Sequence, residues 1–112
     1  MGRRKEFYPS VLPRGVQMIA KAVCADYERR RALALRKDTP EDVKSALNDF
    51  NDLVDEALMS VQEEGLRKEI LRDMIERRGW ERSNAQLYIC ENAYYARRRR
   101  VLYQVAVGMH LI

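Results

Sequence analysis

The chain has 112 residues, of which 46% are hydrophobic and 34% charged, a length and composition that suit a single domain with one buried core. No run of about 18 apolar residues occurs, which excludes a membrane-spanning helix, and one histidine with two separated cysteines excludes a typical structural zinc site. The formal net charge of +4 is too modest to indicate a polyanionic partner by itself.

The N-terminal stretch MGRRKEFYPSVLP is basic but contains no apolar secretory core, so we expect a cytoplasmic protein. Its basic triplet Arg3-Arg4-Lys5 permits two interpretations: an arm that follows DNA phosphates, or a frayed terminus. Cys24 and Cys90 lack the CxxC spacing, and in a reducing compartment we expect free, mostly buried thiols.

Residues 1–64 predict two long amphipathic helices joined by a short link. Apolar residues at spacings of three and four predict a first helix over 13–37, and a heptad-like seam predicts a second over 43–61. Thr39-Pro40 between them is typical of a helix start, because threonine caps the backbone and proline fits the first helical position. We therefore expect an antiparallel hairpin that acts as a scaffold or as the interface of a homodimer.

Residues 65–112 predict three further helices. The third runs over 66–78 with Gly79 as its C-terminal cap, Ser83 caps a short fourth helix, and the fifth runs over 91–107. A short helix, a tight turn and a longer helix form the outline of a helix-turn-helix. The predicted fold class is all-α: an N-terminal antiparallel helical hairpin followed by a three-helix, helix-turn-helix unit, together forming one compact domain.

Charge is distributed unevenly along these elements. The net charge is +7 over residues 1–37, −8 over 38–65 and +5 over 66–112. An acidic middle between two basic ends suggests internal charge pairing as well as a polyanionic partner.

Four consecutive arginines in the fifth helix cannot share one side, because a helix turns about 100° per residue. On that geometry the side that packs against the core comprises Tyr94, Tyr95, Val101, Leu102, Val105 and Met109. The opposite side comprises Asn92, Ala96, Arg99 and Tyr103, with Arg97 and Arg100 on one flank. Arg98 falls within the apolar side, so we expect its stem to lie against the core and its guanidinium to meet an acid or carbonyl groups.

The outward side of the fifth helix has the residue types that read DNA. Arginine donates to guanine edges and phosphates, asparagine suits adenine, and a small residue lets a helix approach closely. The predicted DNA-binding residues are Asn92, Ala96, Arg97, Arg99, Arg100 and Tyr103. Asparagine near a helix start is also a common cap, so Asn92 has that second interpretation.

The stretch QLYICENAYYARRRRVLYQVAVGMHLI resembles the end of phage-encoded transcriptional activators of the ArpU and RinA type. In that family a turn of the form Ser-Glu-x-Thr-Tyr-Tyr leads into a basic helix and a small-residue apolar stretch that ends in Gly-Leu-Ile. Glu91, Tyr94 and Tyr95 match the turn, whereas Cys90 and Ala93 stand where the family has serine and threonine. The resemblance implies a sigma-like helix-turn-helix protein that regulates late phage genes or belongs to the packaging machinery.

The sequence contains no nucleophile–base pair, no metal cluster and no glycine-rich phosphate loop, so we do not expect an enzyme. The leading hypothesis is a transcriptional regulator that binds double-stranded DNA sequence-specifically, with RNA polymerase as a further partner. The alternative is a helical protein-interaction module whose seam over 43–61 meets a polymerase or DNA-packaging partner without direct DNA readout. RNA binding is a third interpretation.

Overall fold

The computed structural model describes residues 12–112, and within that range the predicted all-α fold class is confirmed. Five α-helices are present within residues 12–112: α1 (Arg14–Ala25), α2 (Tyr27–Ala34), α3 (Glu41–Leu58), α4 (Glu64–Glu76) and α5 (Glu91–Gly108). Two 3₁₀ turns, Trp80–Arg82 and Asn84–Leu87, connect α4 to α5. None of the helices in this range is long and apolar enough to cross a membrane. The basic triplet at residues 3–5 lies outside the described residues.

The prediction of one continuous helix over residues 13–37 is wrong, because the chain breaks at Asp26. The Asp26 carboxylate accepts two 2.6 Å hydrogen bonds from Arg29, and the guanidinium of Arg30 donates to the carbonyl of Val23 at 2.5 Å. In a continuous helix that carbonyl would accept a hydrogen bond from the backbone N–H four residues later. The antiparallel hairpin therefore consists of α2 and α3, while α1 packs against α4 and α5.

A buried polar network joins this break to α3. Arg30 is only 5% exposed and donates to Asn51 Oδ1 at 2.7 Å, while Asn51 donates to the carbonyl of Tyr27 at 3.2 Å. The guanidinium also lies 5.6 Å from the centre of the Phe50 ring. Each buried donor and acceptor of Arg30 and Asn51 has a partner, so the network fixes the angle between α1 and the hairpin.

Replacing Arg30 by methionine should lower the free energy of unfolding by about 2 kcal/mol, because Asn51 would keep a buried amide oxygen without its donor. Chemical denaturation followed by circular dichroism measures the change. The exposed neighbour Arg31→Met is the matched control and should stay within about 0.5 kcal/mol of the parent. Equal losses in the two variants would contradict the role assigned to the network.

A single hydrophobic core draws on helices from both halves of the chain. Its largest fully buried side chains are Cys24, Val54, Val61, Leu66, Ile70, Tyr94, Val101 and Val105. α5 is central, because α1 and α3 both pack along it, and a Cβ added at Gly108 would come within 2.9 Å of the Leu53 side chain. The stretch between Tyr27 and Leu53 contributes no member to this core, so most of the hairpin extends beyond it.

The two cysteines differ in their surroundings. Cys24 is fully buried, and burial raises the pKa of its thiol to about 12, so it stays protonated and unreactive. Cys90 is exposed, so the expectation of mostly buried thiols is met at Cys24 and not at Cys90. It occupies the N-cap position of α5, where the chain turns into the helix close to solvent.

Helix α4 ends two residues earlier than the sequence predicts. The C-cap is Arg77, which adopts the left-handed conformation (φ 57°, ψ 43°), rather than Gly79. Gly79 itself has φ 75° and donates its backbone N–H to Asp73 Oδ1 at 2.7 Å. Asp73 thus draws the chain back across the end of α4, where Arg77 and Gly79 both have positive φ.

An arginine in the left-handed region is strained, so Arg77→Gly should raise the free energy of unfolding by about 1 kcal/mol. For a chain of this size the melting temperature should rise by about 4 °C. Arg77→Ala is the control, since it removes the same side chain but keeps a Cβ, and it should give no such gain. A melting temperature that falls in the glycine variant would contradict this account.

Candidate nucleic-acid interface

Helix α5 is fastened to the core by a buried tyrosine. Tyr94 is fully buried and its hydroxyl donates to Asp73 Oδ2 at 2.5 Å. Burial, together with the hydrogen bond to Asp73, raises the pKa of the Tyr94 phenol far above its usual range, so the hydroxyl remains a donor. The same carboxylate accepts from Gly79 N–H and from Arg98, which lies 3.4 Å away. One acid therefore holds both α5 and the loop after α4.

Tyr95 and Arg98 complete the inner side of α5. The Tyr95 hydroxyl accepts from the backbone N–H of Trp80 at 3.0 Å, and its ring meets that of Tyr94 edge-on with centroids 5.1 Å apart. The Arg98 guanidinium lies 5.4 Å from the centre of the Tyr95 ring, and the Arg98 side chain is only 18% exposed. The prediction that the Arg98 stem lies against the core and that its guanidinium meets an acid or carbonyl groups is confirmed, with Asp73 as the acid.

Asn92, Ala96, Arg99 and Arg100 are exposed on the side of α5 away from the core, and we call these four residues the outer face. Asn92, Ala96 and Arg99 follow one another at spacings of four and three, so they form a single line along the helix. Among residues 12–112, neither Arg99 nor Arg100 lies in an ion pair. Their charges are therefore uncompensated within the described part of the chain.

Helix geometry alone predicted that Tyr103 lies on the outer side of α5, and the structure shows otherwise. Tyr103 is partly buried and packs against the hydrophobic core. The reason is that α1 and α3 both pack along α5, so less of its circumference is open than in a helix with one neighbour. Tyr103 therefore lies at the edge of the outer face.

Arg97 has an intramolecular partner that the sequence did not reveal. Its Nε and Nη2 donate to the two carboxylate oxygens of Glu63 at 3.3 and 3.0 Å, a two-pronged pair. The guanidinium of Arg97 holds the pKa of the Glu63 carboxyl below its usual range. Glu63 lies 34 residues earlier, on the turn before α4, and no local spacing links the two residues.

The segment before α5 is more irregular than the predicted fourth helix. Ser83 acts as a cap, as predicted, because its hydroxyl accepts from the Ala85 N–H at 3.1 Å. The element that it caps is only the four-residue 3₁₀ turn Asn84–Leu87, which Glu69 of α4 holds by accepting from the Asn84 N–H at 3.1 Å. The helix-turn-helix outline thus has a tight turn in place of its first helix.

Two side chains beside this turn were not singled out from the sequence. Leu87 is 77% and Tyr88 58% exposed, and both shortly precede the N-terminus of α5. The ring of Tyr88 lies against Gly65 at the start of α4, since a Cβ added at Gly65 would come within 3.5 Å of it. No sequence pattern marks it, because its exposure follows from the 3₁₀ turn rather than from a helical period.

Comparison of the chain with protein-family models, curated proteins and solved structures gave no match. Within residues 12–112, no three His, Cys, Asp or Glu side chains lie close enough together to hold a metal ion.

Proposed function

We propose that this protein is a transcriptional regulator of the phage type that binds double-stranded DNA sequence-specifically through the outer face of α5. The observation that carries the proposal is the pair Arg99 and Arg100, both exposed and uncompensated among the described residues, on a helix whose other side is anchored in the core. A helix of 18 residues is about 27 Å long, which is enough to lie along a major groove.

The positions on the outer face divide into two roles. Asn92, Ala96 and Arg99 form one exposed line along the helix, and in this proposal Asn92 and Arg99 meet base edges. The small side chain of Ala96 between them lets the helix approach the groove floor. Arg100 lies on the flank, where a guanidinium meets phosphates and fixes the register without reading sequence.

Selection of bound fragments from random duplex DNA, followed by a gel shift with the selected sequence, tests the proposal. The enriched fragments should share a short motif, and affinity should fall steeply between about 50 and 200 mM salt, with a logarithmic slope of about −0.9 per phosphate neutralised. A chain that enriches no motif and binds no duplex at the lower salt concentration would not be a DNA-binding protein.

Releasing Arg97 should strengthen DNA binding. Glu63→Gln removes the charge that compensates Arg97 but keeps the shape of the side chain, so affinity should rise about two- to fivefold, the value of one partly exposed ion pair. Fluorescence anisotropy with a labelled duplex measures the change. Glu64→Gln makes the same change in net charge at the adjacent exposed residue and is the matched control. Equal gains in both variants would show a general charge effect instead.

A protein-interaction role is the second candidate, and one observation favours it. The hairpin carries exposed apolar side chains at Leu35 (76%), Phe50 (43%) and Val43 (39%). The core does not cover them, because this part of the hairpin extends beyond it. A second copy of the chain or a subunit of RNA polymerase would cover them. Light scattering alongside the gel shift separates the candidates: a dimer that ignores DNA would favour the interaction module.

A further inference from the structure

A cleft of about 580 Å³ lies between α1, the end of α4 and the inner side of α5. Four cationic side chains, Lys21, Arg77, Arg78 and Arg98, and two methionines, Met18 and Met74, are among its lining residues. Its size is within the range of small-molecule sites, which combine apolar walls with a few polar groups. It lies on the side of α5 away from the outer face, so the proposed DNA contacts do not occupy it.

The acid in this cleft is already saturated. Asp73 is 2% exposed, and its oxygens accept from Gly79 N–H, Tyr94 hydroxyl and Arg98. Arg98, in turn, has its charge matched by Asp73, so the other cations of the cleft do not share that carboxylate.

The remaining cations differ in their own partners. Arg78 donates to Glu76 and to the carbonyl of Arg82. Lys21 and Arg77 are exposed, and neither lies in an ion pair within residues 12–112. The lining of the cleft therefore includes one ammonium and one guanidinium that are uncompensated by described residues.

The backbone at Arg77 supplies a second, independent observation. Glycine takes the left-handed conformation at a helix end without strain, yet this position holds an arginine. The side chain that the strained backbone carries is one that lines the cleft. Strained non-glycine residues cluster at ligand sites, because the function of the side chain offsets the strain.

We infer that this cleft binds a small organic phosphomonoester. Lys21 and Arg77 bind the phosphate, because a dianion matches one ammonium and one guanidinium, and the guanidinium donates to two phosphate oxygens at once. The apolar part of the ligand lies on Met18 and Met74, whose flexible thioether side chains adapt to different shapes.

Phenyl phosphate is a suitable probe, because it joins a dianion to an apolar ring. Phenyl phosphate is titrated into the full chain, and the backbone amide NMR signals of Ala22 and Gly79 are monitored. These signals should shift saturably, with a Kd below about 1 mM. Inorganic phosphate should bind more weakly and phenol should produce no shift. Shifts that do not saturate, or an equal affinity for inorganic phosphate, would overturn the inference.

Two variants of Arg77 separate binding from folding. Arg77→Gly and Arg77→Ala should each weaken phenyl phosphate binding at least tenfold, although the glycine variant is expected to be more thermostable than the parent. Lys21→Met should give a similar loss, and Arg31→Ala on α2 should give none. Unchanged affinity in the Arg77 variants would overturn the assignment, and so would an equal loss in Arg31→Ala.

The phosphate could also come from nucleic acid, and a competition distinguishes this source. A mixed-sequence duplex of about two helical turns should leave the phenyl phosphate shifts at Gly79 unchanged, and its displacement of the probe would overturn the small-molecule assignment. Alanine at both Arg99 and Arg100 should not alter phenyl phosphate affinity. The phosphomonoester proposal is therefore tested independently of the DNA-binding proposal.

Discussion

Replacing Arg99 and Arg100 together by alanine should weaken binding to the selected duplex by about 30-fold or more, while the melting temperature of the protein stays unchanged. Each arginine contributes about 1 kcal/mol or more when it meets a base edge or a phosphate, and each tenfold loss of affinity corresponds to about 1.4 kcal/mol. Both side chains are exposed and unpaired among the described residues, so their removal disrupts no ion pair there. The logarithmic salt slope should also become shallower by about 0.9 for each phosphate that the variant no longer neutralises.

The control for this double variant is a loss of the same charge elsewhere. Arg31→Ala with Lys37→Ala removes two exposed positive charges from α2 and the following turn, away from α5. That variant should retain affinity within about twofold, since distant charges act only through screened long-range attraction. If both double variants lose affinity equally, binding depends on net charge and α5 has no special role.

Asp73→Ala should lower the free energy of unfolding by about 3 kcal/mol or more, the largest stability change we expect from a single substitution. The reason is that three donors lose their acceptor together: the Gly79 N–H, the Tyr94 hydroxyl and the Arg98 guanidinium. An arginine whose buried partner is removed retains an uncompensated charge, which is costly. Thermal unfolding should shift downward by about 10 °C.

Two further variants, Asp73→Asn and Asp52→Ala, test whether the loss of stability comes from the three donors that lose their acceptor. Asparagine keeps an acceptor oxygen of the same shape but removes the charge, so the stability of this variant should fall between those of the parent and the alanine variant. Asp52 is exposed on α3, and its removal should change the stability by about 0.5 kcal/mol or less. An alanine variant at Asp73 that unfolds like the parent would show that the three donors find other partners.

The helices could be predicted from the sequence wherever a local pattern determines them. Spacings of three and four placed α3 and α5 within a few residues. The position of Arg98 on the wheel predicted that its guanidinium would meet an acid or carbonyl groups, and it meets Asp73. The break at Asp26 could not be predicted in this way. Arg30, which donates to the Val23 carbonyl at the break, also donates to Asn51, and no helical period encodes this interaction between residues 21 apart.

The candidate site was predictable in outline but not in its environment. Placing residues on a helical wheel treats α5 as if one neighbour covered it. This procedure correctly predicted that Asn92, Ala96, Arg99 and Arg100 are exposed. The same procedure failed for Tyr103, because a second helix packs along α5. It also missed the Glu63 partner of Arg97, since that pairing depends on where the turn before α4 lies in space.

The hairpin of α2 and α3 extends beyond the core, so its length can change without disturbing the rest of the fold. No residue between Tyr27 and Leu53 belongs to the hydrophobic core, and the hairpin is fixed at its base by Arg30 and Asn51. Whole helical turns inserted in register on both arms beyond that base would leave the environment of α5 intact. Related chains can therefore differ in the reach of this arm, and in what it meets, without any compensating change around the arginines.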